Sequence, residues 1–527
     1  MGIAPTTTDV PMSRGCNEMT RKIGFDTEKY LKAQVAKILE RVSYFDKLYL
    51  EFGGKLCSDN HANRVLPGYA LDTKVQMLKR LGKQMEIVHC ISAKDIEARK
   101  IRGDSRLTYE NQILKDISEL AELGLPISAV VIMRFSGEIN ALKFKQRLEN
   151  RGLRVFIDYE IKDYPKDLDM VLSDEGYGKP ELVPTERRIV VVTAPGPGSG
   201  KMGFAMSQIY QERNRGIASG FAKFETFPIW NIELDHPINI AYEAATADIG
   251  DYNVVDPFHL AAYGITSINY NRDVENFSIL KRMIERMVGP DDPMARYKSP
   301  TDMGINMAKE GIINDKACRD AARQEIVRRF FRYTLDYVEG GTGRDTLRRM
   351  DEIMAKANVR PEDRSVVAPA REAAKEAERR RNDGKGHRGI YCGAALELQI
   401  GDEHLIVKGK NSPLMHAESA VILNAVKAIE GLPDDVHVIT PKVIDAIIGL
   451  KHTFGRNTAS LDVKEVLDAL AASSVTDERA RKCIEALKRL KDSEMHTTHL
   501  MNNGDEMPLK QLGINVTTDA RIPLPTS

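Results

Sequence analysis

From Lys47 onward, short runs of β-branched and apolar residues alternate with longer stretches whose apolar positions recur at helical spacing. Lys47–Phe52, Glu86–Ile91, Ala129–Arg134, Arg154–Tyr159 and Ile189–Thr193 are the predicted strands. Asp72–Gly82, Tyr109–Leu123 and Ile139–Arg151 are the predicted helices, each with a glycine close behind. Alternation of this kind predicts an α/β fold built on a doubly wound, mostly parallel sheet. The run Arg188–Thr193 is apolar without alternation, as a central strand buried on both faces requires.

Beyond this region the pattern changes. Phe224–Asn271 contains no Lys or Arg, is dense in Asn, Asp, His and Tyr, and holds the single tryptophan, Trp230. From Asn276 to Asn358 the periodicity is helical, with a start at Ser299-Pro300 and a long amphipathic helix over Lys316–Val338, stopped by Gly340-Gly341. Arg360–Gly389 is charged and reads as a solvated linker. Gly393–Ile400 and His404–Lys408 predict a hairpin, His416–Ile429 a helix and Val436–Thr440 a strand. The expected organisation is a loose tail over 1–22, a nucleotide-fold α/β domain over 23–225 and a polar, pocket-lining α+β segment over 226–275. A helical region with linker follows over 276–388, and a second α/β domain over 389–527.

Composition narrows the classes. Lys+Arg and Asp+Glu both total 76, so no overall field favours nucleic acid or an acidic membrane. No apolar run reaches the roughly 20 residues that span a bilayer, and Met1–Met19 lacks the apolar core of a signal peptide. The 6 cysteines are far apart with no C-x-x-C pair, which predicts reduced thiols and a cytoplasmic chain.

The clearest chemistry lies in Val190–Met202, where a strand, a turn with Gly196, Gly198, Ser199 and Gly200, then Lys201, run into a helix over Gly203–Arg213. Glycines let backbone N–H groups converge on an anion, the helix start adds positive potential, and the lysine neutralises charge. The full G-x-x-x-x-G-K-[ST] pattern is not met. Pro195 stands where the first glycine belongs, and Met202 replaces the hydroxyl that would hold Mg²⁺. The expectation is a P-loop-like turn that takes a phosphate or a nucleotide. A second polar loop, Gly53, Gly54 and Lys55, follows the first strand and joins this site if the two strands are neighbours. Lys94-Asp95 and Arg99–Asp104 follow the second strand and reach the same edge on the same condition.

Asp235, His236, Glu243, Asp248, Asp251, Asp256 and His259 crowd one stretch with no cation nearby in sequence. Such a group needs solvent, hydrogen bonds or a cation, which is either a metal, Lys201 or the basic part of a substrate. Carboxylates favour Mg²⁺ or Mn²⁺ over Zn²⁺. Asp248, Asp256 and His259 are the candidate catalytic residues, set against a role as turn or cap residues beside proline.

The runs Glu51–Leu56, Ala194–Met202, Lys223–Asn231, Ala241–Asp248 and Asn269–Asp273 closely resemble a bacterial family known as domain of unknown function 1846, over nearly the whole chain. The resemblance implies a nucleotide-fold N-terminal region, a helical region and a C-terminal α/β domain, with Met202 part of the family's own loop. It implies no established activity. Tyr391–Ala395, Val407–Lys410 and His416-Ala-Glu418 resemble the hairpin and H-A-E helix of cytidine deaminases, without the P-C-x-x-C that completes their zinc site. One histidine does not make a catalytic zinc site, so a deaminase-like topology without metal is expected. The functional expectation is binding, with or without phosphoryl transfer, of a phosphorylated small molecule or nucleotide. The alternative is a non-catalytic, metabolite-sensing homo-oligomer, with Phe330-Phe331, Tyr333 and Tyr337 read equally as a subunit interface or as intramolecular core.

Overall fold

The computed structural model describes residues 23–102, 107–400, 403–455 and 458–520. The expected tail over 1–22, Cys16, and Gly103-Asp104 lie outside them. The described chain forms two compact units, divided between Arg360 and Pro361 within the region grouped above as 276–388.

The first unit carries a seven-stranded sheet with β1 (Lys47–Phe52), β2 (Met85–Ser92), β3 (Ile127–Phe135), β4 (Val155–Tyr159), β5 (Ile189–Thr193) and β6 (Ser219–Phe224). Beside it stands a small ribbon of β7 (Asn253–Val255) and β8 (Ile268–Tyr270), and β9 (Gly304–Ile305) completes the large sheet. The order is β4-β3-β2-β5-β1-β6-β9, and every pairing is parallel. All five residues of β5 are buried, as its place between β2 and β1 demands. Phe52 and Phe224 are register partners on β1 and β6, and their rings stack with centroids 4.3 Å apart.

Chain direction decides where a ligand can enter. After β2 the chain steps to β3, and after β5 it crosses to β6 on the opposite side. Right-handed crossovers in opposite directions put their helices on opposite faces. A crevice therefore opens between the carboxyl ends of β2 and β5.

The second unit has a mixed sheet of β10 (Gly393–Ile400), β11 (Glu403–Lys410), β12 (Glu494–Thr497) and β13 (Asn515–Thr518), in the order β11-β10-β12-β13. β10 is antiparallel to both neighbours, and β12 pairs with β13 in parallel. Alternate residues of β10 face two layers. Ala394, Leu396 and Leu398 pack with Val421 and Val426, whereas Ala395 packs with Val366 and Ala370.

Two segments differ from expectation. Val436–Thr440 is not a strand: Val438 and Ile439 are buried outside any regular element, and Thr440-Pro441 opens the helix Pro441–Thr453. The charged stretch after Arg360 is not a solvated linker either. It holds the helix Val367–Arg379, whose alanines 370, 373 and 377 are fully buried while its Arg and Glu side chains face outward. Among the described residues no helix is long and apolar enough to cross a membrane, and Cys57, Cys90, Cys318, Cys392 and Cys483 are free thiols.

Candidate functional site

The glycine turn leaves β5 and enters the helix Lys201–Arg213 at the crevice between β2 and β5, with Gly53-Gly54 following β1 on the other side. The two loops are therefore neighbours. A side chain would be strained or crowded at two of the turn's glycines. Gly200 caps the helix with φ +90°, and a Cβ on Gly196 would stand 2.2 Å from the Tyr109 hydroxyl. Tyr109 is placed by Thr108, which caps the helix Tyr109–Glu122.

Two arginines grip the turn by its carbonyls. Arg134 Nη2 donates to Gly198 O at 2.6 Å and to Ser92 Oγ at 2.9 Å, and Arg102 Nη1 donates to Pro195 O. Arg134 holds a φ of +56°, a strained conformation for a side chain with a Cβ. Ser199 is fully buried and donates to Gly196 O at 3.0 Å. Among the described residues the amides of Gly198, Ser199 and Gly200 have no hydrogen-bond acceptor. Lys201, the first residue of the helix, lies 3.5 Å from Glu51, so its charge has an internal counter-ion. A narrow cleft beside the turn is lined by Gly54, Lys55, His89, Arg102, Thr193 and Ala194. Gly53 O accepts from Lys74 Nζ at 2.8 Å, and Lys74 also pairs with Asp59 at 2.9 Å.

Next to this edge lies a buried charge cluster that sequence reasoning did not assemble. Lys223 on β6 pairs with Asp273, donates to the Tyr270 hydroxyl, and stands 3.5 Å from Glu225. Glu51 is its register partner on β1. Burial alone would disfavour its charge, but Asp273, Tyr270, Glu225 and Glu51 hold Lys223 well above the usual lysine range. Burial raises Glu225 to about 7 against the pull of Lys223. On β4, burial likewise pushes Asp158 up to about 7, and among the described residues no hydrogen-bond partner offsets it.

The cations that serve the acidic stretch come from outside it. Arg272 pairs with Asp251, and Lys356 with Asp235 and Glu243. The three candidate catalytic residues are apart from the turn in their contacts. Asp248 accepts from the Tyr333 hydroxyl at 2.9 Å and lines a separate cavity of about 530 Å³ with Glu243, Tyr252 and Arg349. Asp256 is fully buried and caps the helix Pro257–Tyr263, accepting from the amides of Phe258 and His259 and from Thr301 Oγ1 at 2.7 Å. His259 Nδ1 meets Ser299 Oγ at 3.0 Å. On the long helix Asp315–Val338, Phe331 and Tyr333 are buried within the unit, and Tyr337 is exposed.

In the second unit His416 caps the helix Ala417–Ile429 and pairs through Nδ1 with Asp505, 2.8 Å away. Burial works against its charge, yet Asp505 and Glu418 keep His416 above the usual histidine range. His496 belongs to another layer, bonded to Thr517 and Asp519.

The molecule is thus an α/β protein of two units, one on a parallel sheet and one on a mixed sheet. Residues 23–358 match the family described as domain of unknown function DUF1846, N-terminal, and residues 362–523 its C-terminal counterpart, so the chain belongs to that family. It is 44% identical over 503 residues to a UPF0371 protein of Clostridium tetani, covering 95% of this chain and 98% of the relative. It is 45% identical over 504 residues to a UPF0371 protein of Clostridioides difficile, again covering 95% and 98%. A UPF0371 protein of Clostridium botulinum strain Langeland is 45% identical over 499 residues, with 94% and 97% covered.

Proposed function

We propose that the N-terminal unit binds a phosphorylated small molecule or nucleotide at Gly198–Lys201. The observation that carries this reading is the run of amides of Gly198, Ser199 and Gly200, without acceptors among the described residues, at the start of a thirteen-residue helix. Such amides are a phosphate's natural donors, and the helix start favours its charge. The arginines that grip the carbonyls keep the turn open before any ligand arrives, which lowers the ordering cost of binding. Lys201 and Lys55 supply charge at the rim, and Cys57 and His89 face the cleft at the β2–β5 crevice.

The turn is P-loop-like in its strand–glycine–helix form and departs from a P-loop at Met202, whose thioether is no ligand for Mg²⁺. This favours binding through amides and lysine over magnesium-dependent hydrolysis. In the C-terminal unit, the order β11-β10-β12-β13 and His416 at a helix start support a deaminase-like topology.

The test is calorimetric titration of the full chain with inorganic pyrophosphate and ATP. Lys201→Ala and Arg134→Gln should each weaken binding at least tenfold in protein that remains folded. Wild-type protein that takes neither probe, or a Lys201→Ala variant that binds as tightly as wild type, removes the proposal.

A further inference from the structure

The second unit brings together two buried carboxylates and a histidine from distant parts of the chain. His416 and Glu418 open the helix Ala417–Ile429, and Asp505 lies in the first turn of the helix Asn503–Gln511. One ligand atom from each lies within 4.8 Å of the other two. Asp505 is 1% exposed and Glu418 0%. From these positions we infer that His416, Glu418 and Asp505 form a binding site for a first-row divalent transition cation.

Three observations support the site independently of the phosphate-binding turn. First, Glu418 Oε2 is buried with no hydrogen-bond partner among the described residues, although its Oε1 accepts from Thr497 Oγ1 and lies 3.4 Å from His499 Nδ1. A carboxylate oxygen left bare in a protein interior is costly unless a cation or donor meets it. Second, the partners of Asp505 leave its geometry fixed. Oδ1 accepts from the Val463 amide at 3.0 Å, and Oδ2 faces His416. Third, among the described residues the titratable side chains that pair with the two buried carboxylates are imidazoles, His416 beside Asp505 and His499 beside Glu418, and a divalent ion neutralises both carboxylates while those imidazoles stay neutral.

The donor set selects the ion. One nitrogen and two carboxylate oxygens suit Zn²⁺ or Mn²⁺, while Mg²⁺ prefers an all-oxygen shell. His416 is the partly exposed member, so it is the side from which the ion and any fourth ligand enter. Both helix starts favour anionic side chains in their first turns, which suits ligands that bind as carboxylates. Asp505 is the ligand that the motif around His416 does not contain.

The experiment uses the full chain, dialysed against a chelator and titrated with Zn²⁺ and separately with Mn²⁺. The wild type is expected to bind one ion per chain more tightly than about 100 µM, with a rise in melting temperature. Glu418→Gln and Asp505→Asn keep size and hydrogen-bonding shape, and each should weaken binding at least tenfold. His404→Gln, in the hairpin, should bind as wild type does. If Asp505→Asn fails to fold, the Glu418→Gln measurement decides. Wild type that binds neither ion at that level, or a folded Glu418→Gln or Asp505→Asn variant that binds as tightly as wild type, overturns the inference.

Discussion

Lys201 and Glu51 hold each other across the carboxyl edge of β5 and β1, with Nζ and Oε1 3.5 Å apart and both side chains largely buried. The second oxygen of Glu51 is buried and has no hydrogen-bond partner among the described residues. Glu51 also stands opposite Lys223 in the strand register, so one carboxylate serves two lysines. In the proposed site this carboxylate competes with an incoming phosphate for Lys201.

That competition gives the first prediction. Glu51→Gln keeps the side chain's shape and removes its charge, so pyrophosphate binding should tighten on the order of tenfold, the worth of a part-buried ion pair of one to two kcal/mol. Calorimetry reads this directly. Equal affinity in the two proteins would show that Lys201 is not the cation the ligand meets.

Asp158 predicts a dependence of stability on pH. Burial raises its carboxyl from 3.8 to about 7 in the folded state. The folded chain therefore holds this proton more tightly than the unfolded chain does. The stabilisation is complete below the unfolded value and fades as pH rises through about 7. Asp158→Asn removes the titration. Between pH 5 and pH 8 the variant should lose less stability than wild type, by on the order of 2–3 kcal/mol. Urea unfolding at both pH values measures it, and parallel losses would mean that Asp158 is hydrated in the folded state.

What could be read in the sequence follows distance along the chain. β1 and β5 have the expected bounds, because a buried parallel strand writes its burial into consecutive apolar residues. The turn around Gly198 was legible for the same reason: strand, glycines, lysine and helix are contiguous. The pairs that organise charge were not. Lys223 and Asp273 are 50 residues apart, and His416 and Asp505 are 89 apart, so no local pattern joins them. Asp256 shows the opposite hazard. An aspartate before proline reads equally as chemistry or as a cap, and its contacts here are those of a cap. Val436–Thr440 misleads through composition, since a β-branched run suits a strand only where it pairs, and here it is buried without strand pairing ahead of the helix Pro441–Thr453.

Lys223 should be more costly to remove than any surface lysine. Lys223→Met leaves Asp273, Glu225 and Glu51 buried around an uncharged side chain. Breaking a buried pair in this way costs about 3–5 kcal/mol. Adding Asp273→Asn to Lys223→Met should recover part of that loss, because the second change removes the stranded charge. A chemical-denaturation double-mutant cycle gives the coupling. Strictly additive losses would mean that the two side chains do not act as a pair.

Arg364 predicts a failure confined to the chemistry of one side chain in the C-terminal unit. It is fully buried and ties the parallel strands β12 and β13 together. Its guanidinium donates to Thr517 Oγ1 at 3.1 Å, to Met495 O at 3.0 Å and to Asn515 O at 2.6 Å, and it pairs with Glu494. A planar fork reaches all of these at once, whereas an ammonium is a point charge that cannot. Arg364→Lys therefore keeps the charge but strands buried acceptors on both strands, at a cost of about 3 kcal/mol or more. Hydrogen exchange should show the amides of 494–497 and 515–518 losing protection. Pyrophosphate binding at Gly198–Lys201, which belongs to the other unit, should stay unchanged. Full protection of those amides in Arg364→Lys would mean that the charge alone, and not the fork, holds the two strands.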